Sequence, residues 1–257
     1  MDAAIRTDLT GRTVVVTGGN GGIGLGIAKG CAAAGASIAI WGRNADKLSA
    51  ATAELEALGA RVLAQQVDVS SEQEVDEAMA QVVADLGRVD SVFANAGVSA
   101  MPKPFIEQTA AEWHQLQAVN SDGVFFTLRA GARVLLQQGE GGSLVGVSST
   151  SAIHGAAMSQ SYAASKIGVL AIIRALAVEL ARFNVRCNSI IPGWTETELT
   201  EPARGYEKFL AATTARTPIR RWGVPDDFAA LGAYLADPTI MFHTGDEIVL
   251  DGGYTRF

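Results

Sequence analysis

A β-branched run, Thr13-Val-Val-Val-Thr17, passes straight into Gly18-Gly-Asn-Gly-Gly22-Ile-Gly24. The run reads as a buried strand. Ile23, Ile27 and Cys31 then recur at helical spacing, and Gly35 ends the segment. A strand, a glycine turn and a helix in that order make a dinucleotide-binding βα unit. The glycines let the backbone turn tightly and approach a pyrophosphate, which rests on the helix N-terminus.

The same alternation runs on. Ser37-Ile-Ala-Ile-Trp41 is a second strand. Asn44 can cap a helix carrying Leu48, Ala51, Leu55 and Leu58, with Gly59 as its stop. Residues 61–67 form a third strand, ending in Asp68-Val69. Ser71 and Glu74 make a capping-box pattern before Val75, Met79, Val82 and Leu86. Residues 89–94 form a fourth strand, ending in Asn95-Ala96-Gly97. Thr109 and Glu112 make another box, followed by Trp113, Leu116, Val119 and Asn120. Residues 143–147 are a fifth strand and 185–191 a sixth, stopped by Pro192-Gly193. Pro225 suits the first turn of a helix through about Leu235. Residues 247–250 are the last strand. Continuous apolar strands alternating with helices mean a parallel sheet covered on both faces. No linker, repeat or low-complexity segment interrupts residues 1–257. The expectation is a single Rossmann-type, doubly wound α/β domain with a parallel seven-stranded sheet and helices on both faces.

Charge excludes some functions. The net charge of −7 argues against a nucleic-acid partner or an anionic membrane surface. The start, MDAAIRTDLTGRT, has no apolar signal core. The most apolar long run, 167–181, is interrupted by Arg174 and Glu179, so no segment spans a bilayer. Cys31 and Cys187 make no disulfide framework and read as buried thiols. A cytoplasmic protein fits these features.

The chemistry lies further along. Tyr162 and Lys166 sit four residues apart in a helical stretch, hence on one face and about 6 Å apart along the axis. A phenol titrates near ~10 in water. An ammonium one turn away favours the phenolate and lowers that value, making an acid/base pair. Polar residues also gather after the strand ends: Gly18, Arg43, Asp68, Asn95, Ser149 and Thr197. That edge is where open α/β sheets bind ligands.

On these residues the chain resembles the short-chain dehydrogenase/reductase family over nearly its whole length. Thr17-Gly-Gly-Asn-Gly-Gly-Ile-Gly24 matches that family's T-G-x-x-x-G-x-G, and Asn95-Ala96-Gly97 its N-A-G. Asn120, Ser149, Tyr162 and Lys166 match its catalytic Asn, Ser, Tyr and Lys. Ser149 stands thirteen residues before Tyr162, at the family spacing. Pro192-Gly193 with Thr197, and Asp251-Gly-Gly253, match its later segments.

The resemblance implies a mechanism. Hydride moves between nicotinamide C4 and a carbinol or carbonyl carbon. Tyr162 gives or takes the proton, and Ser149 orients the substrate oxygen. Lys166 holds the nicotinamide ribose and lowers the Tyr162 pKa, and Asn120 positions a relay water. Gly18, Asn20, Gly22, Ile23 and Gly24 would hold the cofactor, with Asn95, Ala96, Gly97, Tyr162, Lys166, Pro192, Gly193, Thr195 and Thr197. Asp68 would bond the adenine amino group with Val69 beside the ring, unless it caps a helix. Enoyl reductases of this fold place six residues between Tyr and Lys, whereas this chain has three. Residues 194–215 correspond to a mobile substrate lid, in which Leu199, Tyr206, Phe209 and Leu210 could shape an apolar pocket. Residues 98–108 would share in choosing the substrate.

The second strand ends Trp41-Gly42-Arg43-Asn44, without the acid that would bond the adenosine ribose. Arg43 can hold a 2′-phosphate, so NADP(H) is expected ahead of NAD(H). Asp46 could instead take the ribose hydroxyls, or simply favour a helix N-terminus. His154 is either a pocket wall or an ordinary loop histidine. Trp194 either covers nicotinamide or substrate, or packs. His114 reads as surface, Arg220-Arg221 as a solvated or interface pair. No metal-ligand spacing is present. Val169, Leu170, Ile172, Ile173, Leu176, Ala177 and Leu180 wrap most of the Tyr162 helix, which with the resemblance suggests a homotetramer. The leading activity is an alcohol dehydrogenase or carbonyl reductase on a small molecule. A 3-oxoacyl-thioester reductase would need a basic carrier-docking patch, for which Arg129, Arg133 and Arg174 are scattered candidates. A non-catalytic scaffold would be expected to lack the Tyr or Lys.

Overall fold

The computed structural model describes residues 7–99 and 101–256. Met1 to Arg6, at the start of the stretch read for a signal core, lie outside the described residues, as does Ala100 in the 98–108 segment.

The strands are β1 (Thr13–Thr17), β2 (Ser37–Gly42), β3 (Val62–Gln66), β4 (Ser91–Ala94), β5 (Gly142–Val147), β6 (Val185–Pro192) and β7 (Glu247–Leu250). They pair in parallel in the order β3-β2-β1-β4-β5-β6-β7. The helices are α1 (Gly22–Ala33), α2 (Ala45–Glu56), α3 (Glu72–Leu86), α4 (Ala110–Gln117), α5 (Gly123–Gln138), α6 (Gln160–Leu180), α7 (Glu201–Arg204), α8 (Glu207–Arg216) and α9 (Ala229–Ala236).

Strand side chains alternate between faces, so β1 feeds two cores. Val15 joins Met79, Val82, Leu128, Leu144 and Ile173, under α3, α5 and α6. Val14 and Val16 join Ile27, Cys31, Ile40, Leu55 and Leu235, under α1, α2 and α9. Both cysteines are free and buried.

Several local expectations shift. β3 is the sheet edge and is half-exposed, because β2 covers one side of it and no described strand pairs with the other. α2 ends at Glu56, so Leu58 falls in the turn to Gly59 (φ 86°) and is exposed. Ser71 caps α3 by accepting from Glu74 N. The return half of that box is missing, because the Glu74 carboxylate takes the amide of Asp68 instead, at 2.8 Å. The Thr109–Glu112 box is complete. Pro225 opens a 3₁₀ turn, Pro225–Phe228, before α9. α4 runs into α5 through a π turn, Ala118–Asp122, which holds Asn120. Such turns often mark functional positions.

The apolar residues expected to ring α6 all face inward, buried or half-buried. Its outer row is instead Ala164, Ile167, Ala171, Ala175 and Val178, with Arg174 and Glu179 beside it.

Candidate active site

Strand order reverses between β1 and β4, and an open α/β sheet binds its ligand at the carboxyl ends beside that reversal. The glycine turn lies there. Gly18 and Gly22 have φ of 64° and 50°, a left-handed backbone that only glycine adopts freely. The α1 N-cap, Gly21, offers no side-chain cap, whereas Asn44, Ser71 and Thr109 cap α2, α3 and α4. The first amides of α1 are therefore not spent on a cap and can take an anion, as a pyrophosphate site requires. Thr197 lies against Gly22: a Cβ there would meet Thr197 Cγ2 at 3.1 Å. Ile23 packs partly into the core beneath.

Thr17, which the sequence quoted but did not single out, braces this turn. Its hydroxyl accepts from Asn95 N and Ala96 N, both at 2.9 Å. The Asn95 amide donates to Thr17 O at 2.9 Å and Gly18 O at 3.4 Å. Asn95, expected among cofactor ligands, thus spends its NH₂ tying β4 to the glycine turn. A threonine ending a buried strand gave no stronger signal than its motif position.

At the adenosine end, Gly42 closes β2 with Asn20 packed over it; an added Cβ would lie 2.5 Å from Asn20 Nδ2. Arg43 follows, 65% exposed, 3.8 Å from Asp68 Oδ2. Asp68 Oδ1 accepts from Ser70 N and Ser70 Oγ. Burial pushes the Asp68 pKa up, but the Ser70 bonds and Arg43 outweigh it and hold it below the usual range. Asp68 is not a helix cap, since Ser71 fills that place. Val69 is buried in the core, its side chain against Gly123. Asp46 is exposed in the first turn of α2.

Beyond β5 the four catalytic candidates converge. Ser149 follows the strand, its hydroxyl accepting from Ser151 N at 3.1 Å and lying near enough to the Tyr162 phenol to pull its pKa down. Lys166 lies one turn on in α6, with Nζ 5.7 Å from the Tyr162 ring centre and donating to Val147 O at 3.0 Å. Asn120 Oδ1 accepts from Val98 N at 2.8 Å, and its Nδ2 donates to Val98 O and Ser165 Oγ. Gly97 is where these groups meet. A Cβ there would stand 3.3 Å from both Asn120 Oδ1 and Lys166 Nζ. Ser148, one residue from the catalytic spacing, is buried and bonds the Lys166 carbonyl at 2.7 Å, anchoring α6 to β5.

Electrostatics here differ from the expectation. Burial raises the Tyr162 pKa, opposed by the Ser149 hydroxyl. The Lys166 ammonium donates to the Val147 carbonyl, with no bond to the phenol among the described residues. Burial pushes Lys166 down to about 8.

After β6, Gly193 N donates to Leu250 O, and the buried Thr195 turns its hydroxyl to Gly193 O. Trp194 packs: it stacks on Trp222 at 5.1 Å and meets Phe209 edge-on at 5.0 Å. Leu199 and Tyr206 are exposed rather than turned into a pocket. His114 is exposed. Arg221 is a bidentate partner of Asp227, and Arg220 bonds the Ala215 carbonyl.

Known proteins resemble this chain over nearly its whole length. A family model described as "Enoyl-(Acyl carrier protein) reductase" matches residues 18–255. An L-rhamnose 1-dehydrogenase (NAD(P)(+)) of Sphingomonas sp. is 35% identical over 95% of this chain and 96% of its own. A 5-keto-D-gluconate 5-reductase of Escherichia coli is 32% identical over 95% and 96%. The crystal structure of a gluconate 5-dehydrogenase from Burkholderia cenocepacia, in complex with NADP and tartrate, superposes with TM-score 0.92 at 31% identity, covering 98% of both chains. The chain belongs to the short-chain dehydrogenase/reductase family. Within it, the chain is an NAD(P)-dependent oxidoreductase working between a secondary alcohol and a ketone. The three residues between Tyr162 and Lys166 set it apart from the enoyl-reductase pattern that the family description names. No helix among the described residues is long and apolar enough to cross a membrane.

Proposed function

We propose that this chain reduces a small polyhydroxylated ketone with NADPH, or runs the reverse oxidation. The observation that carries the reading is the meeting of Asn120 and Lys166 at Gly97, with the Ser149 hydroxyl and the Tyr162 phenol beside them. The nicotinamide supplies hydride when bound. Tyr162 gives its phenolic proton to the forming alkoxide, and Ser149 orients that oxygen. Lys166 binds the cofactor ribose, and Asn120 fixes the 98 backbone around a relay water. Relatives named for rhamnose and keto-gluconate support the substrate class. Initial rates of NADPH oxidation across a ketone panel test it; no turnover with any member overturns it.

NADP is the preferred cofactor in this reading. An acidic side chain at Gly42 would collide with Asn20, and Arg43 is exposed at the strand end with a guanidinium free to turn from Asp68 to a 2′-phosphate. Arg43→Ala is expected to lower kcat/KM for NADP at least tenfold and for NAD less than threefold. Equal losses with both cofactors would show that Arg43 does not read the phosphate.

Residues 194–215 act as the lid, closing through Thr197 over Gly22. For a carrier-protein substrate, the candidate docking residues Arg129, Arg133 and Arg174 are each paired, with Glu72, Asp76 and Glu247, so the sugar-type reading is preferred. Free buried thiols fit a reducing compartment, hence the cytoplasm.

The homotetramer rests on the outer row of α6. Ala164, Ile167, Ala171, Ala175 and Val178 recur every three or four residues, and Val178 is 84% exposed. That spacing is a seam for a second helix. Light scattering at micromolar concentration is expected to give four chain masses, and Val178→Lys to lower it. A monomer mass would refute the assembly.

A further inference from the structure

We infer that the site holds a carboxylate-binding subsite made by Arg216 and His154 on a Tyr254 platform, so the substrate is an acid. This rests on the oxidoreductase reading above. Three segments distant in sequence meet here. His154 follows Ser149 by five residues, its N–H bonded to Thr150 O at 2.9 Å. Its ring meets Tyr254 edge-on, centroids 6.4 Å apart. Tyr254 stands on the turn after β7, which the Asp251 carboxylate pins by accepting from Gly253 N and Thr255 N. Arg216 ends α8 and lays its guanidinium 4.3 Å over the Tyr254 ring, with Nη1 3.5 Å from the phenol oxygen.

Both cationic or donor groups lack an anion. His154 Nε2 is buried with no hydrogen-bond partner, a costly state unless a ligand or water relieves it. Nearby Arg204 and Arg221 are paired with Glu196 and Asp227, whereas among the described residues Arg216 has no carboxylate partner. Asp251, at the base of the Tyr254 turn, spends its carboxylate on that turn. Stacking on Tyr254 fixes the guanidinium plane and leaves its N–H edge for a bidentate carboxylate. His154 Nε2 adds a second polar atom without a partner of its own. The chain runs from Ser149 through the Thr150–Ala152 3₁₀ turn to His154 five residues on, so the subsite shares a segment with the hydroxyl that would orient the reacting oxygen.

The test uses 5-keto-D-gluconate and its neutral counterpart L-sorbose, within a panel of matched keto acids and neutral ketones. The whole enzyme is assayed with NADPH. Wild type is expected to favour the acids at least tenfold in kcat/KM. Arg216→Gln should cut that ratio at least tenfold through KM for the acids, Arg216→Lys should restore part of it, and His154→Phe should lower it. Equal or better use of the neutral ketones overturns the carboxylate subsite while leaving the oxidoreductase reading intact. An acid preference that survives Arg216→Gln likewise overturns it. No turnover with any ketone overturns both.

Discussion

Tyr162→Phe is expected to lower kcat by about 10²–10⁴-fold, the range of a positioned general acid or base, with cofactor affinity kept within a few-fold. The substitution removes one oxygen and keeps the ring against α6. The lost atom is the phenol oxygen beside the Ser149 hydroxyl. Retention of more than a third of wild-type kcat would reject the assignment. The pH profile gives a second check. Burial holds the phenol above its usual pKa, so Tyr162 is protonated at neutral pH. The phenol is the acid that reduction needs, so the reductive rate should be level there and fall only at high pH. Oxidation needs the phenolate, so oxidative kcat/KM should climb up to about tenfold per pH unit while the phenol stays protonated. A flat oxidative profile from pH 6 to 9 would count against Tyr162.

Lys166→Met is expected to lose activity by at least 100-fold and yet make the unliganded protein more stable. Lys166 is buried, with one bond to Val147 O, and burial pushes its pKa down to about 8. Below that pH the folded chain carries a desolvated ammonium that the unfolded chain exposes to water. The displacement corresponds to about 3 kcal/mol at about 1.4 kcal/mol per unit, less about 1 kcal/mol for the lost bond. For a chain of this length, about 2–4 °C per kcal/mol then raises the melting temperature by several degrees at pH 7. The gain should shrink as pH climbs above about 8, because the folded wild type sheds the charge there. A lower melting temperature at pH 7 would show that Lys166 stabilises the fold, contrary to this account.

What could be seen in the sequence was what local chemistry decides. The β1 run, its glycine turn and the Tyr162–Lys166 spacing each fix geometry within one or two turns of chain. Asn120 could be matched by motif, but its π turn could not, because that turn goes with a side chain bonded across to Val98. Glu74 shows the same limit: the pattern places it for Ser71, and a neighbouring loop amide takes it. The sign of the Tyr162 shift also escaped, since spacing places Lys166 near the ring without saying that the ammonium turns to Val147. His154, Tyr254 and Arg216 come from three separate segments, and nothing local links them.

The reversal between β1 and β4 has a consequence for how such an enzyme can change. Groups proposed to read the adenosine end, Asn20, Gly42, Arg43 and Asp68, come from the chain before the reversal. Groups proposed to hold the substrate, Ser149, His154, Tyr162, Arg216 and Tyr254, come from after it. Choice of coenzyme and choice of substrate are therefore written on separate stretches of the gene. Either can drift, or be exchanged with a relative's, while the other keeps its meaning. The Thr197–Gly22 contact is a place where the two vocabularies touch.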